Sequence, residues 1–416
     1  MSSPLPADRV LQQFFREHRR MGKRDRAFVA EAVFGVLRWW RRLRHAAGER
    51  AEDRKLLVLL YLELFGDGDS ALDLPVAPGE RSALEDAVLR FREPALPHDP
   101  VAGIGIVHSL PDWLVAAWLE TLPQEVVEAR CKALKEPAPL AVRANPLKAD
   151  RDAVQRRLLE EGFPSRPAFY SPLGLVLEGK GFVYGTGSFR EGWFEVQDEG
   201  SQLIGFLAEA KPGQVVVDGC AGGGGKTLHL AAMMEDRGEL YAFDVSGSRL
   251  RQLAARARRA GVRSVRVQVL PRGEWAGGSR SALDELRGRA DVVLVDAPCS
   301  GTGVLRRNPE AAWKLTGERI GQLVREQQAI LEAYAPLVRP GGRLVYATCS
   351  LLPQENEAVV ERFLECHPEF ALQSAVAVLE RQGISVPGQY DLFLRLDPAV
   401  HGTDGFFGAV LIRKSD

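Results

Sequence analysis

No stretch of this sequence approaches the roughly 18 uninterrupted apolar residues that a bilayer crossing needs, although hydrophobic residues make up 45% of the chain. The N-terminus, Met1-Ser2-Ser3-Pro4-Leu5-Pro6, lacks the basic, then apolar, then small-residue order of a secretory signal. These two absences argue against a membrane or secreted protein and set the expectation of a cytoplasmic one. Cysteine is sparse. Five in 416 residues is an odd number that suits no disulfide framework, and no two cysteines stand at the close spacing of a structural zinc site. No metal is expected. Internal repeats are also missing, and bias is confined to one glycine-rich loop and proline-rich linkers.

What is present is enough sequence for two or three domains. The net charge of −1 hides an imbalance, because residues 1–50 carry 12 Lys/Arg against 5 Asp/Glu, leaving 42 against 50 in the remainder. Arginine presents a planar fork of donors that never loses its charge, which suits phosphate contact. A solvated helix face would give the same composition.

Residues 27–48 place Phe28, Val29, Val33, Phe34, Val36, Leu37 and Trp40 at helical spacing, with Gly48 where a C-cap falls. Further helical stretches lie around Leu56–Leu64 and Ser82–Phe91, and Pro111-Asp112-Trp113 opens another that carries Trp118. Residues 1–125 therefore read as an all-helical domain. Residues 126–195 change character, with an extended Leu140-Ala141-Val142-Arg143, a helix at 150–161 and glycine- and aromatic-rich turns, and read as a small α+β connector. From residue 196 to 416, apolar runs at Val215–Asp218, Glu239–Asp244, Val265–Leu270, Asp291–Asp296 and Arg343–Thr348 alternate with periodic helices. That alternation predicts an α/β domain with a doubly wound, mostly parallel sheet and a ligand at the strand carboxyl ends.

The first of these strands runs into Gly219-Cys220-Ala221-Gly222-Gly223-Gly224-Gly225-Lys226-Thr227, where glycine lets backbone approach a ligand closely. A P-loop NTPase is the competing reading, since Gly225-Lys226-Thr227 ends like a Walker A motif and Val292–Asp296 resembles a Walker B strand. The spacing opposes it: the position five before Gly225 holds Cys220 instead of glycine. Asp218 at the strand end would also repel a polyphosphate, whereas it suits an ammonium or ribose hydroxyls. Asp244, 26 residues on, ends the second strand where such sheets bind a ribose. S-adenosylmethionine, with a cationic amino-acid end and a ribose, satisfies both aspartates.

Two cysteines fall at strand ends of the same sheet. Asp291–Asp296 leads into Ala297-Pro298-Cys299-Ser300-Gly301, and Arg343–Thr348 into Cys349-Ser350. Cys131 and Cys366 read as small buried hydrophobes; Cys299 and Cys349, on the ligand edge and followed by small polar residues, do not. Carbon 5 of cytosine is too weak a nucleophile to take a methyl group directly, but a thiolate added at carbon 6 makes it enamine-like. Cys349 is the expected nucleophile, its thiolate favoured by the sulfonium and by Lys226. Asp296 would hydrogen-bond the ring nitrogen at position 3. The carbon-5 proton must then leave, and Cys299 can take it or assist.

These residues resemble the Nop/Sun family of RNA cytosine-5 methyltransferases. The resemblance rests on Gln197-Asp198-Glu199-Gly200-Ser201-Gln202, Asp218–Thr227, Phe243-Asp244-Val245-Ser246 with Arg249-Leu250, Asp296-Ala297-Pro298-Cys299-Ser300-Gly301, Ala347-Thr348-Cys349-Ser350 with Glu355-Asn356-Glu357, and Asp404-Gly405-Phe406-Phe407. Within the family, Thr302 to Pro309 and Trp313 are similar to the RsmB-type branch, which methylates small-subunit (16S) ribosomal RNA in bacteria and carries a NusB-like helical domain. The resemblance implies a Rossmann-like methyltransferase domain, Cys349 as nucleophile, Cys299 for release and Asp296 at the pyrimidine. It places Asp218, Cys220, Ala221, Gly222, Gly223, Gly224, Gly225, Lys226, Asp244, Arg249 and Asp296 around S-adenosylmethionine. RNA is the expected partner, and a monomer the expected state.

Two features depart from the family pattern. Cys-Ala-Gly-Gly-Gly-Gly-Lys stands where the family has Cys-Ala-Ala-Pro-Gly-Gly-Lys, so a stiffening proline is missing and the loop is expected to be floppier. No aspartate follows the third strand; Val269 to Glu274 offers only Glu274 as a substitute. Two alternatives stay open. The same chemistry on transfer RNA is one, and a catalytically impaired RNA-binding factor is the other. Arg16, Arg19, Arg20, Lys23, Arg24, Arg38, Arg41 and Arg42 would grip backbone in every case, without reading sequence.

Overall fold

The computed structural model describes residues 5–66, 77–179, 181–270, 283–388 and 392–415. Its internal packing divides it into two units, Met1–Pro137 with Val304–Leu315, and Ala138–Gly303 with Thr316–Asp416. Among the described residues no helix is long and apolar enough to cross a membrane, and no cluster of His, Cys, Asp and Glu is arranged to hold a metal ion.

Among the described residues the first unit holds helices and no strand, with α-helices at Ala7–Glu17, Lys23–Arg38, Trp40–Ala47, Arg54–Phe65, Pro78–Arg92, Pro100–Val107, Asp112–Leu119 and Gln124–Ala133, and Ala311–Lys314 added from the later segment. Leu43, Leu57, Leu60 and Ala87 are buried at its centre, and full burial of each leucine contributes about 2 kcal/mol. The single helix expected over 27–48 is two, meeting at Trp39. The cause is distant in sequence: Ser109 Oγ accepts the Arg41 and Arg42 amides at 2.8 and 3.5 Å and so caps the second helix. Gly48, at φ +60°, ends it as expected.

Three of the arginines expected to grip phosphate are committed inside this unit. Arg38 donates to the Arg306 carbonyl at 2.9 Å, Arg41 to the Leu110 carbonyl at 2.7 Å, and Arg42 to the Phe91 and Val107 carbonyls at 2.9 and 3.1 Å. Arg16, Arg19, Arg20, Lys23 and Arg24 are exposed. The helical unit also runs past the expected boundary at 125, because Val127 and Cys131 are buried and Lys135 donates to the Arg38 and Ser109 carbonyls at 3.1 and 3.0 Å.

The second unit opens with an antiparallel sheet of β1 (Ala141–Ala144), β2 (Ser165–Pro167), β3 (Gly174–Leu177) and β4 (Phe194–Val196) in the order β2-β3-β1-β4. Helix Arg151–Glu160 lays Val154 and Leu158 into its core beside Val142, Leu175 and Phe194. This expected connector shares its unit with the larger sheet. Arg256 and Arg259 both pair with Glu195, at 2.9 and 2.5 Å, and Asn145 donates to the Ala260 carbonyl at 2.9 Å.

The larger sheet contains β5 (Val215–Asp218), β6 (Glu239–Asp244), β7 (Val265–Val269), β8 (Ala290–Asp296), β9 (Val338–Thr348), β10 (Phe370–Gln373), β11 (Leu394–Leu396) and β12 (Phe406–Arg413). Its order is β10-β12-β9-β8-β5-β6-β7, with β11 against β12. Strands β5 to β9 are parallel, and β12 closes on β9 antiparallel. One apolar cluster joins the sheet to helices Glu199–Leu207, Gly225–Met233 and Gly247–Ala260, and another joins it to Gly317–Tyr334 and Glu357–Cys366. This is a Rossmann-like, doubly wound sheet with an antiparallel edge. The chain leaves β5 for β6 and β7 and returns on its other side as β8, so the crevice opens between the carboxyl ends of β5 and β8.

Candidate active site

The crevice is a cleft of about 450 Å³, a volume in the range of cofactor sites. Asp218, Cys220, Ala221, Gly222, Gly223, Gly225, Lys226, Asp244, Arg249, Asp296, Cys299 and Cys349 all line it. Gly224, expected among them, does not. It sits behind the loop at φ +88°, and a Cβ there would stand 2.6 Å from Leu253 Cγ, so glycine at this position answers to backbone and packing. Glu274 lies outside the described residues.

Asp218 is buried, and its Oδ2 accepts the Thr227 hydroxyl at 2.7 Å. Its Oδ1 is buried without a hydrogen-bond partner, and burial pushes the carboxyl up to about 7. Such an orphan on the wall of a cleft fits a cationic ligand group, which would both satisfy the oxygen and ionise it. Asp244 accepts the Gly222 amide at 2.9 Å and the Ser246 amide at 2.7 Å. It thereby fixes the glycine loop as well as facing the cleft.

The loop is pinned despite its missing proline. Ala221 N–H donates to the Phe243 carbonyl at 2.9 Å, Gly219 N–H to Leu294 at 2.8 Å, and the Tyr334 hydroxyl to the Gly219 carbonyl at 2.9 Å. Arg256 donates to the Gly223 carbonyl at 2.7 Å. Arg143, from β1, donates to the Gly225 carbonyl at 2.8 Å and to Gln197 Oε1. These hydrogen bonds anchor the loop backbone on both sides of the position where the family has a proline. Arg143 is wholly buried, which draws its guanidinium down to about 9. Arg143, Arg256 and Tyr334 are site residues that the motifs do not point to. An arginine inside the apolar Ala141–Ala144 strand is the one signal available in the sequence.

Lys226, expected to favour a thiolate at Cys349, is held by Asp296, Nζ to Oδ2 at 2.6 Å, with its ammonium 5.3 Å from the Phe406 ring centroid. Cys299 and Cys349 stand with their sulfurs 3.4 Å apart. The hydrogen bond to the Cys349 sulfur first, then burial and the charge of a Cys349 thiolate, push the Cys299 thiol well above its ordinary value. Gly303 N–H donates to the Cys349 carbonyl at 2.9 Å and ties the two cysteine loops together. Cys131 is buried as expected; Cys366, at the last turn of its helix, is exposed instead.

An open parallel sheet reversing at β5/β8, with a glycine loop and an acidic residue ending each of its first two strands, defines the class of S-adenosylmethionine-dependent methyltransferases. The chain belongs to the RsmB/F family of 16S rRNA methyltransferases, whose model matches residues 206–412. A ferredoxin-like domain model of RsmF/B-like methyltransferases matches residues 110–184. A probable ribosomal RNA small subunit methyltransferase B from Synechocystis sp. is 33% identical over 419 residues, covering 93% of this chain and 91% of its own. The ribosomal RNA small subunit methyltransferase B of Pseudomonas syringae pv. tomato is 32% identical over 420 residues, covering 94% and 90%. Among solved structures, a methyltransferase homologue protein from Pyrococcus horikoshii superposes with a TM-score of 0.63 at 28% identity, covering 76% of this chain and all of its own. The methyl donor is S-adenosylmethionine and the substrate RNA.

Proposed function

We propose that the protein methylates carbon 5 of a cytosine in 16S ribosomal RNA, with Cys349 as nucleophile and Cys299 assisting release. The observation that carries this reading is the 3.4 Å pair of sulfurs at the ends of β8 and β9, beside the cleft. S-adenosylmethionine supplies an electrophilic methyl group on a sulfonium. Asp218 would face its ammonium and Asp244 its ribose, with the Cys220–Gly223 backbone, Gly225, Lys226 and Arg249 completing the walls.

Two thiols this close resist double ionisation, so only one of them serves as a thiolate at a time. The nucleophile must attack as a thiolate, and in that role Cys349 would accept a hydrogen bond from the Cys299 thiol 3.4 Å away. Cys349 attacks carbon 6 of the cytosine, while nitrogen 3 takes a hydrogen bond from the Lys226–Asp296 pair, whose ammonium is the proton source. Forming the C–S bond uses up the Cys349 charge and makes carbon 5 nucleophilic, so that it would take the electrophilic methyl group; the Cys299 thiol then no longer has a Cys349 thiolate to hydrogen-bond. Cys299, its own proton released to solvent, would then accept the carbon-5 proton as the C–S bond breaks and Cys349 leaves as the thiolate. The target must be unpaired or flipped out to reach the thiol. The exposed Arg16, Arg19, Arg20, Lys23 and Arg24 would hold RNA backbone, a role consistent with a NusB-like helical unit acting in a monomer.

Bisulfite mapping of cellular RNA with and without the gene tests the target. Loss of one 5-methylcytosine in 16S rRNA is expected; loss in transfer RNA alone would contradict the ribosomal assignment.

A further inference from the structure

One carboxylate closes over both cysteine loops from behind. Glu355 is wholly buried and does not line the cleft. Its Oε1 accepts the Ser300 amide at 2.8 Å and the Gln327 side-chain amide at 3.0 Å. Its Oε2 accepts the hydroxyls of Ser300 and Ser350, each at 2.5 Å. Ser300 follows Cys299 and Ser350 follows Cys349, so a single side chain anchors the residue next to each thiol. Gln327 extends the anchor by donating to the Pro298 carbonyl at 2.9 Å.

Burying a carboxylate is unfavourable unless its lone pairs are filled, and here four donors fill them. Charge-assisted bonds to hydroxyls are short and stiff. The loops leave separate strands, β8 and β9, and each could otherwise settle independently. We propose that Glu355 is a positioning residue for the thiol pair: it sets the Cys299–Cys349 separation and, through it, the passage from adduct to release. This rests on the roles proposed above for the two cysteines, while the separation itself can be read without RNA.

The first measurement is bridging of the two thiols by phenylarsine oxide, in which one arsenic binds both sulfurs and its oxygen leaves as water with the two thiol protons. Mass mapping of the joined Cys299 and Cys349 peptides gives the rate. Glu355→Ala is expected to slow bridging at least tenfold, and, with RNA and S-adenosylmethionine, to accumulate an RNA–protein adduct that survives denaturation, with the KM for S-adenosylmethionine unchanged. Glu355→Gln should restore both, because its carbonyl can still accept the Ser300 amide while its NH2 donates to the two hydroxyls. General destabilisation would lower the folded fraction without trapping adduct. A Glu355→Ala protein with wild-type KM and wild-type bridging overturns the proposal, as does a Gln variant as impaired as Ala. If Glu355→Ala does not fold, Ser350→Ala, which removes one strut, should slow bridging at least threefold, and an unchanged rate overturns the proposal. Adduct that persists after Cys349→Ala would defeat the nucleophile assignment and leave the arsenical result to judge the clamp.

Discussion

Lys226 Nζ stands 2.6 Å from Asp296 Oδ2, which links the helix after the glycine loop to the strand whose next loop carries Cys299. The donor side of the cleft and the thiol side thus meet in one ion pair, with the lysine largely buried and the aspartate about a third exposed. Lys226→Met should therefore slow methyl transfer more than it weakens donor binding. A fall of at least tenfold in kcat with KM for S-adenosylmethionine within threefold is expected from steady-state kinetics. A KM effect alone would place the lysine at the donor only.

Asp218 gives a pH signature. Its carboxyl is raised to about 7 in the folded protein, whereas in the unfolded chain it titrates near 4. The folded state therefore holds a proton that the unfolded state has released, so this group's unfavourable contribution grows from pH 4 to 7 and is complete above 7. Asp218→Asn should raise the Tm of the donor-free protein at pH 8 and leave it nearly unchanged at pH 4, with at most about 4 kcal/mol involved. The same substitution should weaken S-adenosylmethionine binding at least tenfold, and wild-type binding should weaken below pH 7. Calorimetry at both pH values checks each part; equal melting shifts at pH 4 and 8 would contradict the burial argument.

Gly224→Ala imposes a left-handed alanine, costing about 1–2 kcal/mol, and drives a methyl group into Leu253. Lower stability and weaker donor binding are expected together. Gly222→Ala, at φ +53° but with no atom within 4 Å of the added Cβ, should show only the strain. Denaturant titration of the two variants distinguishes them, and equal losses would argue against the clash.

In the helical unit, replacing Arg16, Arg19, Arg20, Lys23 and Arg24 with alanine should reduce RNA affinity and flatten its salt dependence, by about 0.7 in log–log slope for each phosphate no longer neutralised. Arg42→Ala should instead lower stability, since it leaves the Phe91 and Val107 carbonyls without their donor. Filter binding across salt concentrations, with thermal melting beside it, separates the two groups. An unchanged slope in the fivefold variant would contradict phosphate binding by these residues.

Much of the second unit could be read from sequence because its signals are local. Val215–Asp218 and Glu239–Asp244 are β-branched or aromatic runs that end on an aspartate, and both strands lie where expected. The thiols were legible because each closely follows such a run. What stayed hidden depends on partners far along the chain. Ser109 splits the helix at Trp39, and Arg143 reaches a carbonyl 82 residues away. Segment 304–315 belongs with the helices by packing alone. Arg38, Arg41 and Arg42 read as phosphate-gripping cations because composition cannot distinguish a guanidinium open to a ligand from one capping a carbonyl.

The two sulfurs have different tasks, and one gel reads both. Cys299→Ala, incubated with RNA and S-adenosylmethionine, should accumulate a denaturation-resistant RNA–protein adduct that Cys349→Ala and the double variant do not form. An adduct in Cys349→Ala, or none in a folded Cys299→Ala, would contradict this division of tasks.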